Sequence, residues 1–210
     1  MAYIQTLGEE IANAITHGIG FLLSIAALVL LLYYGLDHQD YAHSISFTVY
    51  GVSMMILYAA STLYHSFQKD SIKNFFQIVD HAAIYVMIAG SYTPFTLLVL
   101  KGILGWTLLG IVWGMTLVGI IFKIFFTGRF KILSTSIYGI MGWLVIFFIK
   151  PLLENLPDGA FFWLLLGGIS YSIGIIFYLW EKLPYSHTIW HLFILGGSIC
   201  HFFCIFLYLI

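Results

Sequence analysis

The chain is 210 residues long, with 61% hydrophobic and 8% charged residues; an ordinary soluble domain carries roughly 25% charged residues, so that class is excluded. Eight Lys and Arg against nine Asp and Glu, a net charge of -1, leave no basic patch to neutralise phosphates, which excludes nucleic-acid binding. The two cysteines, Cys200 and Cys204, both lie in the last apolar run, so they read as helix packing residues and not as a disulfide framework or a zinc module.

The first residues carry no basic stretch and no small-residue cleavage site ahead of the first apolar run, which therefore reads as a retained span and not a removable signal. Thr6 and Glu9 have the spacing of a capping box and predict a helix starting near Leu7. Long apolar runs then predict spans near 17–36, 46–66, 77–99, 103–123, 132–153, 160–180 and 188–210, each about the length a bilayer requires. Between the third and fourth, Lys101-Gly102 is the only polar break, so this stretch is either a tight hairpin or a single bent helix. Pro94 falls inside the third span, where the hydroxyls of Ser91 and Thr93 make a kink tolerable. Gly110 and Gly114, at small-xxx-small spacing, predict a close helix contact. With no repeat or linker, the expectation is one domain over 1–210, an all-α membrane protein built as a seven-transmembrane helix bundle.

Orientation follows from the basic residues, because loops rich in Lys and Arg stay on the cytoplasmic side. Lys69, Lys73, Lys123, Arg129, Lys131 and Lys182 fall on the side of the N-terminus and only Lys101 and Lys150 on the other. This six-to-two split predicts a cytoplasmic N-terminus and an external C-terminus.

An ionisable side chain at the centre of a spanning helix costs about 2.5–3.5 kcal/mol on insertion scales, so each needs a reason. The predicted topology brings His17, His65, Asp80, His187 and His191 to the cytoplasmic ends of their helices. His187 and His191 are four residues apart, as are Ser61 and His65, so each pair shares a helix face; Glu10, Asn13 and His17 share another. Two imidazoles at i and i+4 plus a third from a neighbouring helix form a three-nitrogen face suited to Zn²⁺, with the fourth position open for water. His65, His187 and His191 fit that description. Asp80 is then the candidate catalytic carboxylate, close enough to hold the water and take its proton. Ser61, Glu10, Asn13 and His17 are candidates for fixing ring orientation around the ligands. A lone interfacial histidine is ordinarily a headgroup-level or capping residue, and His38, His43, His81 and His201 are read that way.

These residues resemble the hemolysin III branch of the adiponectin and progestin receptor (PAQR) family. The resemblance rests on Glu10-x2-Asn13-x3-His17, Ser61-x3-His65, Asp80-His81-Ala-Ala-Ile with Gly90-Ser-Tyr-Thr-Pro94, and His187-x3-His191 with a later His201-Phe202. It covers nearly the whole chain. It implies an intracellular N-terminus and a zinc site near the cytoplasmic surface, with His65, His187 and His191 as ligands and Asp80 contacting the zinc-bound water. Only nine residues precede Glu10, where the animal receptors carry a long cytoplasmic region, so a hormone-receptor role is not implied and a bacterial inner-membrane location is expected. The interval from His65 to Asp80 is also a little shorter than in the receptors.

Three functions compete. The first is a zinc-dependent hydrolase of a lipid amide or ester, resembling the ceramidase activity proposed for the receptors. The second is a non-enzymatic sensor or regulator of membrane lipid state with structural zinc. The third, a pore-forming cytolysin, has least support, since the chain has no barrel pattern or soluble domain. A structural zinc site is usually closed by four protein ligands, and only three histidines converge here, which favours the first. The expected partner is a membrane lipid, while the oligomeric state has no signature in the sequence.

Overall fold

The computed structural model describes residues 5–35 and 40–210, and His38 lies outside the described residues. All its regular elements are helical: α1 (Leu7–Gly35), α2 (Tyr41–Ser66), α3 (Asp70–Pro94), α4 (Gly102–Phe126), α5 (Lys131–Trp143), α6 (Ile149–Asn155), α7 (Ala160–Leu179) and α8 (Ser186–Tyr208). A π-helical segment, Phe95–Leu100, prolongs α3, and a 3-10 segment, Leu144–Phe148, joins α5 to α6. Counting those continuations, seven helices among the described residues are long and apolar enough to cross a membrane.

Several start and stop signals act as their chemistry requires. The Thr6 hydroxyl accepts the Glu9 amide at 3.3 Å, and Glu9 accepts the Thr6 amide at 2.7 Å, completing the capping box before α1. Asp40 caps α2 by accepting the His43 amide at 2.9 Å, and the His43 ring lies 2.8 Å from the same oxygen, so His43 takes part in the cap that Asp40 makes. These contacts, the amide first, hold the Asp40 carboxyl below its ordinary range. Lys101 and Gly102 have φ of 47° and 52°, two successive left-handed residues that reverse the chain. The third and fourth spans are therefore a tight hairpin, and the bent-helix alternative is excluded.

The helices begin further from the apolar runs than hydropathy indicates. α1 starts at Leu7 and α3 at Asp70, so Asp80 stands about 15 Å inside its helix. Polar turns extend a helix without extending its apolar run. At Pro94, where the ring removes a backbone donor, the chain passes from α- to π-winding. The Thr93 hydroxyl donates to the Ala89 carbonyl at 2.9 Å beside that change. The fifth span breaks at Trp143, and a neighbouring helix serves the groups freed there: the Tyr92 hydroxyl donates to the carbonyls of Met141 and Gly142 and accepts from the Val145 amide at 3.0 Å.

The glycine contact lies elsewhere than the spacing predicts. Gly110 and Gly114 face open space on the outer side of α4, with no atom within 4 Å of a would-be Cβ. The buried stripe of α4 runs instead through Gly105, Leu108, Val112, Thr116, Gly119 and Lys123. A Cβ on Gly105 would collide with the Thr96 carbonyl oxygen, and one on Gly119 would lie 2.6 Å from the Tyr85 ring. Spacing identifies a helix face but not the direction in which it points.

α1 packs on α2 and α8, α2 on α3, α3 on α4, and α7 on α8, whereas α5 touches its neighbours sparingly. Between α3, α5, α7 and α8 this leaves a cavity of about 370 Å³, apolar over most of its length.

Candidate metal centre

Four helix segments bring the polar residues to one end of the bundle. The Tyr185 amide, just before α8, donates to Glu9 Oε1 at 2.8 Å. The Thr188 hydroxyl donates to Asn13 Oδ1, whose Nδ2 in turn donates to Gln5 Oε1 at 2.9 Å. These bonds fix the start of α1 against the start of α8, beside the end of α2.

Within that frame, His65, His187 and His191 each present a ring nitrogen within 4.8 Å of the other two. Their ring centroids are 5.0 Å (His65–His187), 5.1 Å (His65–His191) and 4.6 Å (His187–His191) apart. Among the described residues these are the three that form a group able to hold a metal ion.

The hydrogen bonds around the rings determine which nitrogen faces inward. His65 Nδ1 lies 2.7 Å from Glu10 Oε2; a carboxylate only accepts, so Nδ1 carries the proton and the Nε2 lone pair is free. His191 Nδ1 lies 3.4 Å from Thr16 Oγ1, whose own proton is directed to the carbonyls of Ala12 and Asn13. The hydroxyl therefore offers a lone pair, and the proton again sits on Nδ1. The Nε2 atoms of His65, His187 and His191 are all buried with no protein partner. Buried polar atoms are normally satisfied, and three convergent orphaned imidazole nitrogens form a donor set that fits Zn²⁺.

The remaining sequence-derived candidates surround this face. Glu10 also accepts from Lys73 Nζ at 2.7 Å, which links His65 to the surface. His17 stacks on His191 with centroids 3.5 Å apart and planes 10° from parallel, and sits edge-on to Tyr58. Asp80 is buried, outside the metal-holding group, and lines the cavity together with His17. Ser61 Oγ neighbours the Asp80 carboxyl without a formed hydrogen bond. His201 stands apart, its Nε2 3.2 Å from the Leu164 carbonyl, deep along the cavity wall. His81 turns its carbonyl to the Tyr138 hydroxyl at 2.9 Å.

Two features escape a reading of spacing alone. Thr16, one residue before His17, orients His191 across helices. Lys123, counted above among the loop charges, lies instead inside α4, 3% exposed, and donates to Ser134 Oγ at 2.8 Å. The signal was its place between Ile121-Phe122 and Ile124-Phe125, a lone charge within an apolar run.

Residues 5–202 match the family described as haemolysin-III related. The chain is 57% identical over 206 residues to "Hemolysin-3" of Bacillus cereus, covering 98% of this chain and 94% of that protein. It is 56% identical over 203 residues to "Hemolysin-3 homolog" of Bacillus subtilis (strain 168), covering 97% and 95%. A more distant similarity, 29% over 213 residues and covering 99% and 87%, is to human "Monocyte to macrophage differentiation factor".

Proposed function

The chain belongs to the haemolysin-III related family, and from that premise and the histidine cluster we propose that it is a membrane-embedded, zinc-dependent hydrolase of a lipid amide or ester. The observation that carries this reading is the set of three orphaned Nε2 atoms, one of them on the His191 ring that stacks on His17, a residue that lines a largely apolar cavity together with the Asp80 carboxylate. His65, His187 and His191 would hold the ion. When bound, Zn²⁺ supplies a Lewis acid and makes water acidic enough to deprotonate near neutral pH.

The chain's own residues do the rest. Glu10 and Thr16 hold the His65 and His191 rings in the tautomers a metal needs. Asp80, buried in the cavity lining, accepts the proton of the attacking water and returns it to the leaving group. The apolar walls bury an acyl chain and exclude bulk water. Such walls suit a lipid tail better than an aqueous pore, which argues against the cytolysin reading. In this proposal the N-terminus is cytoplasmic and the membrane is the bacterial inner membrane.

The test is metal analysis of purified protein beside the His65→Ala/His187→Ala/His191→Ala variant, followed by incubation of both with ceramides, phospholipids and acyl amides. One zinc per wild-type chain and fatty acid released by the wild type alone are expected. Equal zinc in both would overturn the ligand assignment, and absence of release by zinc-loaded wild type would overturn the hydrolase.

A further inference from the structure

Among the described residues Lys123 is the only fully buried lysine or arginine. An ammonium carries three donors, and Lys123 directs one to Ser134 Oγ while its Nζ sits 5.6 Å from the centroid of the Tyr138 ring. It forms no ion pair within 4 Å among those residues, where the four ion pairs are made by other groups. A buried charge without a counter-charge is costly, so an anion must stand near it.

The fold indicates which one. α3 and α4 are antiparallel about Lys101, with Asp80 21 residues before that turn and Lys123 22 residues after it, so both lie at the same level. The register is fixed by the Thr116 hydroxyl, which donates to the Tyr85 carbonyl at 3.1 Å, and by Gly119 seated on the Tyr85 ring. The other buried carboxylates are already engaged: Glu10 by Lys73 and His65, Glu9 by Thr6 and the Tyr185 amide. Tyr138 ties α3 and α4 together at this level, its ring toward Lys123 and its hydroxyl donating to the carbonyl of His81, the residue after Asp80.

We propose that Lys123 is the counter-charge of Asp80, a positioning residue that holds the carboxylate in the cavity lining without touching the substrate. Its importance for turnover rests on the hydrolase reading above, but the pairing itself does not.

The pair is tested by thermal unfolding of the purified full chain, with zinc content measured on every sample. Lys123→Met and Asp80→Asn each leave one buried charge alone and should lower the midpoint by roughly 5–10 °C. The double variant should recover most of that loss, and Lys123→Arg, which keeps the charge, should stay near wild type. If Lys123→Met yields no folded protein, folded Asp80→Asn/Lys123→Met supports the pair. Losses that simply add in the double variant, or a double variant as unfolded as the single, overturn it. Because no turnover is read, failure of the hydrolase proposal would leave this result unchanged.

Discussion

The Glu10 carboxylate bridges His65 Nδ1 and Lys73 Nζ, each at 2.7 Å, so a buried imidazole on α2 is tied through α1 to a partly exposed ammonium on α3. The bridge fixes the ring whose other nitrogen faces the histidine cluster. Three helices thereby share in fixing one imidazole of the cluster.

Glu10→Gln keeps the shape of that bridge but removes its charge and weakens its claim on the Nδ1 proton. Loss of such an outer partner typically lowers metal affinity about 10- to 100-fold. Competition with a chelator of known affinity should therefore strip zinc from Glu10→Gln at lower chelator concentration than from wild type. Equal retention would make the Glu10–His65 contact structural only.

Retention should also depend on pH through the ligands themselves. Neutral imidazole is the competent ligand, and free histidine takes up a proton near about 6.5. Zinc affinity should fall as pH drops below that value, and neutralisation should restore it. Zinc that stays bound in His191→Ala across the same range would point to a site elsewhere.

The glycines of α4 offer a test of packing. Gly119→Ala puts a Cβ 2.6 Å from the Tyr85 ring and should lower the unfolding midpoint clearly. Gly110→Ala meets nothing within 4 Å and gains helix propensity, so its midpoint should be unchanged or higher.

The long apolar runs and the i, i+4 histidine pair were legible because both are local patterns. His65 joined them because its helix ends where theirs begins. Lys123 is legible as an interior residue only from the apolar residues on both its sides; with the fourth span ending at it, a span-end lysine resembles a loop charge. Moving it inside leaves the charge split at five to two. Gly105 and Gly119 were missed for Gly110 and Gly114 because which face of α4 is buried is decided by α3, not by α4. The services of Tyr92 to the broken fifth span and of Thr16 to His191 join residues 53 and 175 positions apart, a separation no periodicity reports.

With Lys123 removed from the count, the remaining split still predicts a cytoplasmic N-terminus. Reporter fusions active only in the cytoplasm should signal at the N-terminus and within the Thr127–Phe130 turn, and be silent at Ile210. A silent N-terminal fusion with an active C-terminal one would invert the orientation and move the histidine cluster to the external side.

Asp80→Asn separates a hydrolase from a zinc-stabilised regulator. Asn has the same size and can still hydrogen-bond, but it cannot accept a proton from water. Asp80 lies outside the group of nitrogens that can share a metal, so the substitution should leave one zinc per chain. In a hydrolase it should lower lipid turnover by the roughly 10²–10⁴-fold that a general base contributes. In a regulator there is no turnover to lose, and the change registers only as the stability loss of leaving Lys123 unmatched. Asp80→Asn/Lys123→Met divides the two effects: stability should return while turnover stays low, because pairing needs only that the charges match, whereas proton transfer needs the carboxylate itself. Fatty-acid release by mass spectrometry and unfolding midpoints on wild type, Asp80→Asn and the double variant read both. Turnover undiminished in Asp80→Asn would remove Asp80 from the chemistry and leave it as the partner of Lys123 alone.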